Sequence, residues 1–189
     1  MKKLLLILLA AILLTGCSDN EKDTASDSSK EIENSDALSK NEDKDEERVY
    51  QIGETAVITS DIYEFDYEVT VSDFNLTTEV DGDTIEEFVI GADETNRFAV
   101  VDVTIKNISE EEIIPNRQFS ANLGGKEDLG GITSYNEYFP EGDEILEPGE
   151  EVKGHLVYST TSDYSDTFIL KYEISTDEET HFILPNPEL

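Results

Sequence analysis

Phe98-Ala99-Val100-Val101-Asp102-Val103-Thr104-Ile105-Lys106-Asn107 decides the fold class of this chain. Ala99, Val101, Val103 and Ile105 fall on one side, and Val100, Asp102, Thr104 and Lys106 on the other. A period of two, carried by β-branched residues, is the signature of a strand with one face toward a core. Working outward, the same alternation recurs. Tyr67, Val69 and Val71 alternate with Glu68, Thr70 and Ser72. Val152, Gly154, Leu156 and Tyr158 alternate with Lys153, His155, Val157 and Ser159. Phe168, Leu170, Tyr172 and Ile174 alternate with Thr167, Ile169, Lys171 and Glu173. Weaker strands are expected near residues 55–59, 112–122, 131–134 and 181–184.

Turn chemistry separates these runs. Asp81-Gly82-Asp83 breaks the chain after the Tyr67 strand, and Pro148-Gly149 suits a type II turn, with Gly at positive φ. Gly124-Gly125, Gly130-Gly131 and Asn186-Pro187 read as further loops. The best helical candidate, residues 83–91, is short. Many short strands with turns between them predict an all-β, immunoglobulin-like two-sheet β-sandwich over residues 49–189. The immunoglobulin cysteine pair and core Trp are missing, so packing alone has to hold the sheets together.

Upstream, the composition changes twice. Residues 18–48 carry 12 Asp or Glu against 5 Lys or Arg and no aromatic residue. Such a stretch buries too little apolar surface to offset its ordering entropy, and residues 17–48 read as a disordered acidic linker. A flexible chain of that length has a root-mean-square span of roughly 30 Å. Before it stand Lys2 and Lys3, then a Leu, Ile and Ala run over residues 4–14. That run is too short to span a bilayer, which takes roughly 20 apolar residues, but suits the apolar region of a signal peptide. Leu14-Thr15-Gly16-Cys17 then resembles the lipobox of bacterial lipoproteins. The resemblance implies cleavage after residue 16, a diacylglycerol thioether on Cys17, and a mature chain anchored to the lipid bilayer. Cys17 is the only cysteine, so it has no disulfide partner, and acylation accounts for an odd thiol in an exported protein.

Charge narrows the partners. The full chain carries a formal net charge of −32. Nucleic acid is excluded, because a phosphate backbone is bound through Lys and Arg. Anionic headgroups are repelled as well, so the domain stands off from its own membrane, and self-association is disfavoured, which makes a monomer the expected state. Asp81-Gly82-Asp83 with Glu79, Glu86 and Glu87, and Glu141-Gly142-Asp143-Glu144, offer oxygen ligands of the calcium type, though neither fits the EF-hand loop. Solvated acidic turns are the simpler reading. His155 and His181 lack the spacing of a zinc site, and no Gly-x-Ser-x-Gly elbow is present. Tyr135, Tyr138 and Phe139 could line a binding patch, with loop packing the simpler reading. No catalytic residue, metal or cofactor is therefore assigned.

Three stretches carry a family resemblance. They are Gly53-Glu54-Thr55-Ala56-Val57, the Phe98–Asn107 run, and Leu146-Glu147-Pro148-Gly149-Glu150-Glu151-Val152-Lys153-Gly154-His155-Leu156-Val157-Tyr158. Together, over residues 49–184, they resemble the telokin-like immunoglobulin-fold domain of exported bacterial proteins. That domain is widespread in lipoproteins of Gram-positive bacteria, has no assigned function and brings no catalytic residues. The resemblance implies a β-sandwich on the extracellular face of a Gram-positive cell membrane. Three functions are compatible with it: a non-catalytic binding or interaction module for a protein or cell-wall partner, a structural or accessory envelope lipoprotein, and a wall-polymer hydrolase. Only the last requires two converging carboxylates in a cleft.

Overall fold

A computed structural model describes residues 48–189. The signal peptide, the linker up to residue 47, and Cys17 lie outside the described residues. The chain runs through β1 (Arg48–Gln51), β2 (Thr55–Thr59), β3 (Asp66–Thr77), β4 (Glu79–Val80) and β5 (Asp83–Thr84), then the one-turn helix α1 (Ile85–Phe88) and β6 (Asn96–Asn107). A second one-turn helix, α2 (Pro115–Gln118), precedes β7 (Asn122–Gly125) and β8 (Ile132–Thr133). Two short 3₁₀ turns, Asn136–Tyr138 and Pro140–Asp143, lead to β9 (Glu151–Thr161), β10 (Thr167–Tyr172) and β11 (Thr180–Pro185). Arg48, the last residue of the expected linker, is the first of β1.

These strands form a β-sandwich. One sheet has the order β2-β3-β6-β9, the other β1-β11-β10-β7-β8, and β4-β5 is a separate hairpin. All pairings are antiparallel except β1 with β11. The alternation read from the sequence puts Val69, Val101, Val103, Ile105, Leu156 and Tyr158 of one sheet against Phe168, Leu170, Tyr172, Phe182 and Leu184 of the other. Each such side chain contributes about 1.5–3 kcal/mol on leaving water. A bulge between Val71 and Asp73 shifts the phase of β3, so that Phe74 and Leu76 join the same core. Phe74 then meets Phe168 across the sandwich at 5.3 Å between ring centres.

The outer face of the four-stranded sheet is also covered. Val157 and Phe98 are buried there beneath Val80, Ile85 and Tyr138. The hairpin that supplies Val80 turns at Asp81 and Gly82, both at positive φ, the geometry of a two-residue type I′ turn. Gly149 also has positive φ, and Glu150 N–H donates to Glu147 O at 3.0 Å, as the Pro148-Gly149 turn requires.

Three expectations need correction. Of residues 112–122 only Asn122, the first residue of β7, lies in a strand. Ile113 makes a single bridge with Leu146, and Pro115, at the first helical position, then starts α2. Gly124-Gly125 is not a loop but the end of β7, where a methyl on Gly124 would lie 3.0 Å from the Gly130 carbonyl and 3.2 Å from the Asp128 carboxylate. β10 stops at Tyr172, because Glu173 and Ser175 take positive φ and turn Ile174 out of the alternation. The short helical candidate at residues 83–91 is present as the single turn of α1.

Candidate binding surfaces

In the first acidic turn, two carboxylates are engaged in hydrogen bonds. Asp81 Oδ2 lies 3.1 Å from His155 Nε2, and Asp83 Oδ2 accepts from the Tyr138 hydroxyl at 2.9 Å. Burial, then the Asp83 carboxylate, pushes the Tyr138 hydroxyl up to about 12. In the 3₁₀ turn at residues 140–143, Gly142 packs tightly on Asn116, whose amide donates to the Phe139 carbonyl at 2.8 Å. Among the described residues, no three of His, Cys, Asp and Glu come together as a metal-binding group. His155 and His181 stand on different sheets, the latter 2.6 Å from Glu179 Oε1. Tyr138 and Phe139 are core residues, and Tyr135 packs against Phe88, so this aromatic group is structural.

Three carboxyls are held low by local hydrogen bonds. The Thr95 hydroxyl holds Asp93 below the usual carboxylate range, and the Tyr164 hydroxyl, bonded at 2.6 Å, does the same for Asp128. Burial raises Glu179, but the Ser175 N–H and His181 outweigh it and bring it below the range.

What the structure does bring together is a pair of adjoining grooves that share residues 127–129. Asp128 fastens this segment, because its carboxylate accepts from Gly125 N–H and from the Tyr164 hydroxyl, both at 2.6 Å. On one side is a groove of about 710 Å³, lined by Val89, Leu123, Leu129, Ile132, Tyr164 and Phe168 among others. On the other is a groove of about 830 Å³ along the outer face of the five-stranded sheet, with Val49, Ile169 and Ile183 in its lining. Leu129 lines both and is 94% exposed. Within the second groove Lys171 is only 4% exposed, and its ammonium donates to the Asp128 carbonyl. Sequence reasoning placed Lys171 on the outward face of its strand but did not single it out. The available signal was a lysine set among Phe168, Ile169, Leu170 and Tyr172, in a chain where cations are scarce.

With that geometry in view, comparison with known proteins defines the class. Residues 1–18 match the prokaryotic membrane lipoprotein lipid attachment site, so this is a lipid-anchored membrane protein carrying a β-sandwich. Among the described residues no helix is long and apolar enough to cross a membrane. Residues 50–180 match the domain of unknown function DUF4352, and the chain belongs to that family. Its solved structural neighbours include the yjhA protein of Bacillus subtilis, at 22% identity and a TM-score of 0.48, covering 71% of this chain and 99% of that one. The secreted protein MPT63 of Mycobacterium tuberculosis is similar at 15% identity and a TM-score of 0.44, covering 74% and 97%. An uncharacterized β-sandwich protein of Clostridium difficile follows at 16% identity and a TM-score of 0.42, covering 74% and 95%. No curated protein matches the chain.

Proposed function

We propose that this lipoprotein is a non-catalytic binding module, held on the extracellular face of a Gram-positive cell membrane by a lipid on Cys17. Residues 17–48 act as the spacer, and the sandwich from residue 49 as the head. The observation that carries this reading is the paired groove around residues 127–129. There Leu129, Ile132 and Tyr164 leave apolar surface exposed, on a domain that is otherwise strongly acidic.

Photo-crosslinking from position 132 on intact cells tests it. Neighbours captured by the wild-type head and lost in Leu129→Asp support the reading. A capture profile identical to that of a charge-matched control domain removes it. Labelled palmitate entering the wild-type chain, but not Cys17→Ala, tests the anchor separately.

A further inference from the structure

Lys171 is an unusual place for a charge. It projects from β10 onto the outer face of its sheet, between Asn122 and His181 in the ladder, yet it is almost fully buried. An ammonium has three N–H donors, and the Asp128 carbonyl takes one. Among the described residues no carboxylate forms an ion pair with it. The two acids whose fields reach it are committed elsewhere. Asp128 holds Gly125 and Tyr164, and Glu179 holds Ser175 and His181. A cation withdrawn from water and left with donors to spare is costly unless an anion completes it.

The surroundings define that anion. Of the seven Lys and Arg in residues 48–189, three line this groove: Arg48, Lys126 and Lys171. Arg48 is spent on Glu178, which leaves Lys126 and Lys171 to receive a carboxylate. The same groove carries the apolar strip of Val49, Ile169 and Ile183, with Leu129 on its border, so the ligand needs an apolar body. Net charge supplies the last constraint. Residues 49–189 carry 33 acidic and 6 basic residues, and a net anion is repelled before it arrives. A zwitterion is not, and Glu127, which lines both grooves, offers its ammonium a partner. The volume, about 830 Å³, lies within the range of pockets that hold compact organic ligands.

We propose that the outer-face groove binds a short apolar peptide with free ends, its terminal carboxylate received by Lys171 and Lys126. This rests on the binding-module reading and gives it a ligand class. Calorimetric titration of the full chain in detergent with trileucine tests it. The expected result is saturable binding with a dissociation constant of about 1 mM or tighter. C-terminally amidated trileucine should bind weaker by about tenfold or more, the worth of one charge-assisted hydrogen bond. Lys171→Met keeps the stem and removes the ammonium, and should weaken free trileucine equally while leaving the amide unchanged. If that variant loses its melting transition, Leu129→Ser, a change at an exposed position, carries the test through a several-fold loss of affinity for both peptides. Absence of binding up to about 10 mM, or equal affinity for free and amidated peptide, overturns the proposal. Should crosslinked neighbours still be captured in that case, the wider reading survives and only the ligand class falls.

Discussion

Gly154 sits in β9 opposite Val103, and its backbone is not in the left-handed region, so alanine is conformationally acceptable there. On backbone grounds alone Gly154→Ala should stabilise the strand by about 0.5–1 kcal/mol. Packing says the reverse. A methyl on Gly154 would lie 2.3 Å from Cδ2 and 2.4 Å from Cε2 of Phe139, well inside contact distance. Phe139 has little room to retreat. It is 2% exposed, lies between the two 3₁₀ turns, and its carbonyl is held by Gly142 N–H at 3.0 Å and by the Asn116 amide at 2.8 Å. Overpacking of this kind costs about 1–3 kcal/mol, which outweighs the backbone gain at all but its lower limit. Phe139→Ala alone should cost about 3–5 kcal/mol through the cavity it leaves. In the double variant the new methyl enters that cavity, so the combined loss should fall short of the sum by about 1 kcal/mol or more. Urea unfolding followed by circular dichroism reads all three variants. With a slope of about 1–3 kcal/mol per molar urea, the single glycine change moves the midpoint by roughly 1 M. A Gly154→Ala protein as stable as wild type, or strict additivity in the double variant, would refute the account of this contact.

Asn107 is fully buried and donates to the carbonyls of Glu111 at 2.7 Å and Leu146 at 2.9 Å, while its Oδ1 accepts from Ser109 N–H at 2.9 Å. Asn107→Ala should therefore cost about 2–4 kcal/mol in urea unfolding, and a loss under 1 kcal/mol would contradict that bridge. Among the described residues the buried Tyr172 hydroxyl has no hydrogen-bond partner, and burial pushes its pKa far up. Tyr172→Phe should be neutral or stabilising by up to about 1–3 kcal/mol, and clear destabilisation counts against an unpartnered hydroxyl. Asp128 titrates below its ordinary value of 3.8, chiefly through the Tyr164 hydroxyl. Its contribution is thus present above that value and is lost as pH falls through the lower folded one. The Gly125 amide resonance should follow this titration with a midpoint under 3.8, and a midpoint at or above it would break the link. Added salt should raise the melting temperature of the head by screening repulsion among its carboxylates, whereas a flat response to molar salt would show that repulsion to be unimportant.

The sandwich was legible because alternation reports directly on which face is buried. Val101, Val103 and Ile105 needed no tertiary information to be placed. The failures have local causes. Nothing in a one-dimensional pattern announces that a bulge at Ser72 will carry Phe74 and Leu76 back to the core, because a single extra residue reverses the phase of all that follow. Gly124 and Gly125 read as loop residues since glycine usually marks turns. Here they mark strand backbone with other atoms close against it, Gly130 and Asp128 at Gly124 and Ser165 at Gly125. The grooves were illegible for a different reason. They are made where residues 127–129, Tyr164 and the outer face of β10 meet, which are far apart in sequence and adjacent only after the sheet order β10-β7-β8 is known.

That order also bears on how an acidic head could select a ligand at all. With a Debye length of about 8 Å in physiological salt, the charge of the surface is felt only near it, and there it repels anions and gathers cations without discrimination. Selectivity has to come from sites that differ from the rest of the surface. Burying Lys171 beneath residues that Asp128 ties down creates such a site: Arg48, Lys126 and Lys171 stand there beside Glu127, Asp128 and Glu179, so both signs of charge meet inside an anionic envelope, with apolar walls that make each electrostatic contact stronger than it would be in open water. A ligand carrying charge of one sign meets an obstacle at one stage or the other, repulsion on approach for an anion and an unfilled lysine on arrival for a cation. A ligand that carries both signs, spaced along an apolar body, meets neither.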